Sequence, residues 1–296
     1  MSSQAHRSYS MMDVVSDFLS SVFSGIAQIY LQASVLTGVA LVLGLYLSHP
    51  MLAAGCLLGA GVATISSYHV SFSARERRQG LYGFNAALSG IGLCHEYQAN
   101  SALLLWIVLS GIATAWVSKR FTEWKVLPAL TFQFSIVMLA AFLLGPSTGL
   151  VALKSQGSGN LCGSGFFSFS LCSLGQVSFL QPALPAILLG TALAWHHWRQ
   201  AAWAASGALY ASTAIMLLNH FVSTGLPESA AIGIGVNLVL VMLGLGTFQR
   251  SWMEKLGGTT ACLLLCLLLY RLALPYFTLP FVLVVWSVLY RDHLHQ

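Results

Sequence analysis

Long apolar runs separated by short polar breaks dominate this chain, at about 33–48, 51–70, 81–95, 102–118, 127–147, 182–196, 202–222, 231–247, 258–273 and 275–290. These runs suit helices and are too long for barrel strands, which need about 9–11 residues. Two further stretches, 14–31 and 166–180, precede the two sets of five runs. Each is too short or too polar for a crossing, and each reads as a re-entrant half-helix. A Gly/Ser-rich segment, Lys154 to Gly165, joins the two sets. The pattern predicts an all-α integral membrane protein with ten transmembrane helices and two re-entrant half-helices, in two inverted five-span repeats. Their expected boundaries are 1–151 and 166–296, with a linker over 152–165.

Composition agrees with lipid as the solvent. Of the 296 residues, 57% are hydrophobic and 7% charged, against about 25% charged in soluble domains. The net charge of +5 serves as a topology signal. Arg7, Arg75, Arg77, Arg78, Lys119, Arg120, Lys125, Arg199, Arg250, Lys255 and Arg291 fall on one side of a ten-span path. Lys154 falls on the other, and Arg271 lies late in the ninth span. The positive-inside rule then puts both termini in the cytoplasm. Scattered basic residues give no footprint for nucleic acid. The polar stretch Met1 to Ser10 has no cleavable signal pattern. Cys56, Cys94, Cys262 and Cys266 sit in apolar runs, whereas Cys162 and Cys172 lie in or near the linker as either a disulfide or two free thiols.

Five spans per half force the second half to cross in the opposite sense. Paired residues support such a repeat. Gln28 recurs as Gln176, with Gln32 and Gln181 just beyond; Ala53-Ala54 recurs as Ala204-Ala205, and His69 as His220. Gly83-Phe84-Asn85 recurs as Gly235-Val236-Asn237, and Leu127-Pro128 with Thr131 as Leu274-Pro275 with Thr278. All offsets lie between 147 and 152, in one order. Inverted repeats place a solute site near the midplane, where broken helices meet.

The paired residues are the candidates for chemistry. Gln28 and Gln176 carry amides that either line a passage or bond a neighbouring helix. Thr131 and Thr278 follow prolines that free upstream carbonyls. Their hydroxyls either face a solute or return to their own helices. Phe84 with Leu88, and Val236 with Leu240, share one helix face each; composition alone favours plain packing for them. Asn85 and Asn237 are expected to satisfy backbone or neighbouring helices. His69 and His220 are expected near opposite membrane faces, too far apart to act together. No acidic residue falls in the middle of a predicted span, which argues against ion coupling. No phosphate loop, zinc motif or nucleophile–base set is present, so no enzyme, metal or cofactor is expected.

The segment Gly80-Leu81-Tyr82-Gly83-Phe84-Asn85-Ala86-Ala87-Leu88 resembles a signature of the urea transporter family. Leu274-Pro275-Tyr276-Phe277-Thr278-Leu279-Pro280-Phe281 resembles the second-half signature, and Gly25-Ile26-Ala27-Gln28-Ile29 the N-terminal glutamine motif. The resemblance implies a homotrimer in a bacterial inner membrane, each subunit passing urea passively through its own slot. It implies Phe84 and Leu88 as slot walls opposite Val236 and Leu240, Gln28 and Gln176 at the mouths, and Thr131 and Thr278 near the centre. Val236, Leu31, Gln133 and Gln176 depart from the family pattern. An ammonium or short-chain amide channel is the alternative.

Overall fold

A computed structural model describes residues 11–69, 71–153, 162–163, 165–180, 183–221 and 225–293. Arg7, Lys154, Gln181, His295 and linker residues 154–161 and 164 lie outside the described residues. The described residues are almost all helical, with an isolated bridge between Tyr97 and Ala152 and no strand.

The first element, α1 (Met11–Ala27), ends in a 3-10 turn, Gln28–Tyr30, and the chain then turns by 76° into α2 (Val35–Ser48). Leu31 makes the turn at φ 57°. Then follow α3 (Pro50–Ser66), short α4 (Ala74–Arg78), α5 (Phe84–Glu96), α6 (Ser101–Trp124) and α7 (Phe132–Leu144). The second half comprises α8 (Phe166–Gln176), α9 (Ala183–Phe221), α10 (Glu228–Thr247), α11 (Trp252–Arg271) and α12 (Leu279–His293). Polar caps mark where the apolar runs begin. Ser34 accepts from the Thr37 amide (3.2 Å), and Asn100 Oδ1 from the Leu103 amide (2.8 Å). Each cap satisfies a donor that a helix start leaves open.

Helices α6, α9, α10 and α11 are long and apolar enough to cross a membrane, and α1 with α2 makes a fifth if that bent pair is one span. Helices α3, α7 and α12 are apolar but shorter. Leu104, Leu105, Leu143 and Trp195 are all more than half exposed, as suits a surface solvated by lipid.

Two sequence expectations change in detail. Runs 182–196 and 202–222 are one helical run, α9, interrupted at His197 (φ −153°, ψ 86°). Runs 127–147 and 275–290 do not start as helix at their prolines; helix begins only at Phe132 and Leu279. The preceding segments are irregular, and Leu130 (φ 46°) and Phe277 (φ 44°) adopt the left-handed region.

Helices α3 and α5 touch backbone to backbone. A Cβ on Gly90 would lie 2.0 Å from the Gly55 carbonyl oxygen, so only glycine permits this approach. It draws the start of α5 inward. Gly80 (φ 78°) then brings the loop before α5 against Gly25 of α1, where a Cβ would stand 2.2 Å from the Gly25 nitrogen.

Candidate functional site

Two buried asparagines build the centre of the molecule. Asn85 Nδ2 donates to the Leu130 carbonyl (2.8 Å), and its Oδ1 accepts from the Phe134 amide (3.1 Å). Asn237 Nδ2 donates to the Phe277 carbonyl (2.8 Å), and its Oδ1 accepts from the Phe281 amide (3.1 Å). The carboxamide offers a donor and an acceptor side by side. Each one spans an irregular turn, satisfying a carbonyl on the left-handed residue and an amide at the helix start. Without it, both groups would be buried and unpaired, at about 1–3 kcal/mol each.

These clamps set Thr131 and Thr278 as the residues just before α7 and α12. Their hydroxyl oxygens lie 2.7 Å apart, and Ser135 Oγ lies 2.9 Å from the Thr278 hydroxyl. Ser135 also donates to the Thr131 carbonyl (3.2 Å). All three are buried. The threonine hydroxyls thus pair across the two halves. The Pro128 carbonyl accepts from Trp286 Nε1 of α12 (2.8 Å), a second tie between the halves.

A cavity lies on either side of this contact. The larger, about 710 Å³, is lined by Gln176, Phe179, Val236, Phe277 and Thr278. The smaller, about 400 Å³, is lined by Gln28, Phe84, Ser118, Phe121 and Leu130. Leu130 adjoins Thr131, and Thr131 touches Thr278, so the hydroxyl pair bridges the two linings.

The turns that follow α1 and α8 line these cavities in matched ways. Leu31 (φ 57°) and Phe179 (φ 60°) each follow the glutamine by three residues. Each donates its amide to that glutamine's carbonyl, at 2.9 Å and 3.2 Å. Gln28 Nε2 donates to the Gln79 carbonyl (2.9 Å), and Gln176 Nε2 reaches the Leu180 carbonyl at 3.5 Å.

The expected residues therefore do not share one chamber. Thr131 and Thr278 come together. Gln28 and Phe84 face the smaller cavity, and Gln176 and Val236 the larger. Leu88 and Leu240 are each 1% exposed, and neither lines these cavities. Phe84 and Val236 thus face different cavities, not one another across a slot, because the threonine contact stands between them. His69 packs on Trp116 and His220 on Phe221, at ring distances of 5.6 Å and 5.2 Å.

Several lining residues escaped sequence reasoning. Ser118 and Phe121 come from α6, whose apolar pattern gives no sign of which face meets a cavity. His95, Glu96 and Glu228 line the larger cavity, with His95 Nδ1 2.9 Å from Glu96 Oε1. Glu228 Oε1 accepts from the Cys162 amide (2.9 Å), and Cys162 is disulfide-bonded to Cys172 of α8. Helix-end position alone had placed these carboxylates outside the candidate set.

Taken together, the centre offers neutral donors and acceptors between two apolar-walled chambers. That arrangement suits a small, uncharged, hydrogen-bonding solute. A family model described as Urea transporter matches residues 19–293 of the chain.

Proposed function

The chain belongs to the urea transporter family, whose members move urea across membranes, and from that premise we propose that it is a passive urea channel. Each subunit would carry its own conduit, running from the larger cavity past the Thr131–Thr278 pair to the smaller one. The observation that carries this reading is that hydroxyl contact, held by two equivalent asparagine clamps between two cavities. A solute crossing there parts the two hydroxyls and takes up their hydrogen bonds.

Urea loses water on entry, which would cost several kcal/mol without new partners. Gln28, Gln176, Thr131 and Thr278 supply those partners, while Phe84 and Val236 give apolar walls at the two approaches. Leu88 and Leu240 act from behind, as packing that fixes the walls. We further propose ten spans in two inverted five-span repeats, as a homotrimer in a bacterial inner membrane with both termini cytoplasmic. The matched turns at Leu31 and Phe179, and at Leu130 and Phe277, support the repeat. Family membership favours urea over ammonium or short-chain amides.

The test is stopped-flow urea permeability of liposomes holding the purified protein. Permeability well above protein-free liposomes, with no uphill accumulation under sodium or proton gradients, is the expected result. Urea permeability equal to protein-free liposomes, or gradient-driven accumulation, would refute the channel.

A further inference from the structure

The two halves differ at one place where the fold asks for nothing different. Two residues after Thr131 stands Gln133; two residues after Thr278 stands Pro280. Both start their helices equally well, because a proline in a first turn removes a donor that would have no helical partner. Gln133 is nevertheless buried and carries an unusual cost. Its Nε2 donates to Ser118 Oγ (3.2 Å), while its Oε1 is buried with no partner. A buried carbonyl left unpaired destabilises a fold. The second half avoids that cost with Pro280, and it places Cys266 seven residues before the left-handed Ala273, as Ser118 stands seven before the left-handed Lys125. The polar pair is therefore dispensable to the architecture.

Ser118 lines the smaller cavity. Two other hydroxyls line it, and both are committed to their own helices. Thr122 donates to the Lys119 carbonyl and Thr247 to the Leu243 carbonyl, each at 2.8 Å. One of the two Gln28 Nε2 hydrogens is committed to the Gln79 carbonyl. Among the described residues, Ser118 accepts from Gln133 and donates to no protein group. Accepting that bond polarises the hydroxyl and turns its proton away from Gln133.

We propose that Ser118 is a hydrogen-bond donor to the carbonyl oxygen of a solute in the smaller cavity, with Gln133 as the residue that positions it. This rests on the urea-channel reading and adds a selectivity rule. Urea's N–H groups need acceptors, and its carbonyl oxygen needs a donor. Ser118 supplies one. Thiourea presents sulfur, a weak acceptor, and gains little there. The chain thus favours carbonyl over thiocarbonyl solutes on this side.

The experiment compares urea and thiourea permeability of liposomes holding the full chain. It uses wild type, Ser118→Ala, Ser118→Thr and Gln133→Leu. Loss of one neutral hydrogen bond predicts a urea permeability about three- to tenfold lower for Ser118→Ala, with thiourea unchanged. Ser118→Thr should keep the wild-type ratio. Gln133→Leu should move the ratio in the same direction as Ser118→Ala. The proposal is overturned if Ser118→Ala keeps the wild-type ratio, as it would were the Gln133 amide turned to accept the Ser118 proton. It is also overturned if both permeabilities fall together, the mark of a packing role. Should Ser118→Ala fail to fold, the Gln133→Leu ratio decides in the same way. A wild-type protein that passes neither solute would instead refute the channel reading itself.

Discussion

The turns before α7 and α12 make the same two hydrogen bonds to an asparagine, yet they lead into cavities of about 400 Å³ and about 710 Å³. The bonds fix where the backbone breaks; the side chains around the break decide what the break faces. In the first half, Gln133 and Ser135 add polar groups beside the break. In the second half, the residues equally spaced from the threonine are Pro280 and Val282. One scaffold is therefore reused with different linings, and the equal parts can be tested apart from the unequal ones.

The largest effect belongs to the equal parts. Asn85→Ala and Asn237→Ala each orphan a buried amide and a buried carbonyl, so each should cost about 2–5 kcal/mol. Thermal unfolding in detergent checks this, and a cost in one half alone would break the equivalence. Thr131→Val and Thr278→Val keep side-chain volume but remove one member of the hydroxyl pair. Each should lower urea flux about tenfold while the protein still folds; wild-type flux in both would remove the pair from the conduit. Gln28→Ala and Gln176→Ala should slow urea about threefold. The smaller loss is expected for Gln176, whose bond to Leu180 is at the limit of length (3.5 Å).

The smallest effect is on pH dependence, and it separates α6 from α11. Asn100 caps α6 with a neutral side chain, whereas Ser251 and Glu254 cap α11 reciprocally. The backbone amide and hydroxyl of Ser251, followed by Arg291, hold the Glu254 carboxyl below its ordinary range. A lowered carboxylate contributes stability above the unfolded pKa, about 4.3, and loses it as pH falls through the folded value. Glu254→Gln should therefore lower the melting temperature at pH 7, and the difference from wild type should vanish in acid. A difference that persists unchanged at pH 3 would show that the Glu254 charge is not its source.

The helices were legible in the sequence because lipid demands long apolar stretches and backbone satisfaction within each one. The ordered pairs, Gln28 with Gln176 and Thr131 with Thr278, were legible because matched polar residues are rare in such stretches. The start of helix at Phe132 was not. Pro128 announces a break, but its extent depends on Asn85, which is 45 residues from Leu130 in sequence. Which way Leu88 and Leu240 face, and that Ser118 meets a cavity, were not legible for another reason. When both solvent and core are apolar, hydrophobic pattern cannot tell which helix face meets lipid, core or cavity.

The Tyr30 hydroxyl finds its partners only in the second half, donating to the Leu174 carbonyl (2.8 Å) and lying 3.0 Å from Ser178 Oγ. Gln32 likewise reaches Leu193. A nascent chain emerging from the ribosome must therefore leave these groups waiting for about 144 further residues, on the order of ten seconds of synthesis. The bonds that Tyr30 and Gln32 make across the halves therefore form only after α8 and α9 have been synthesised.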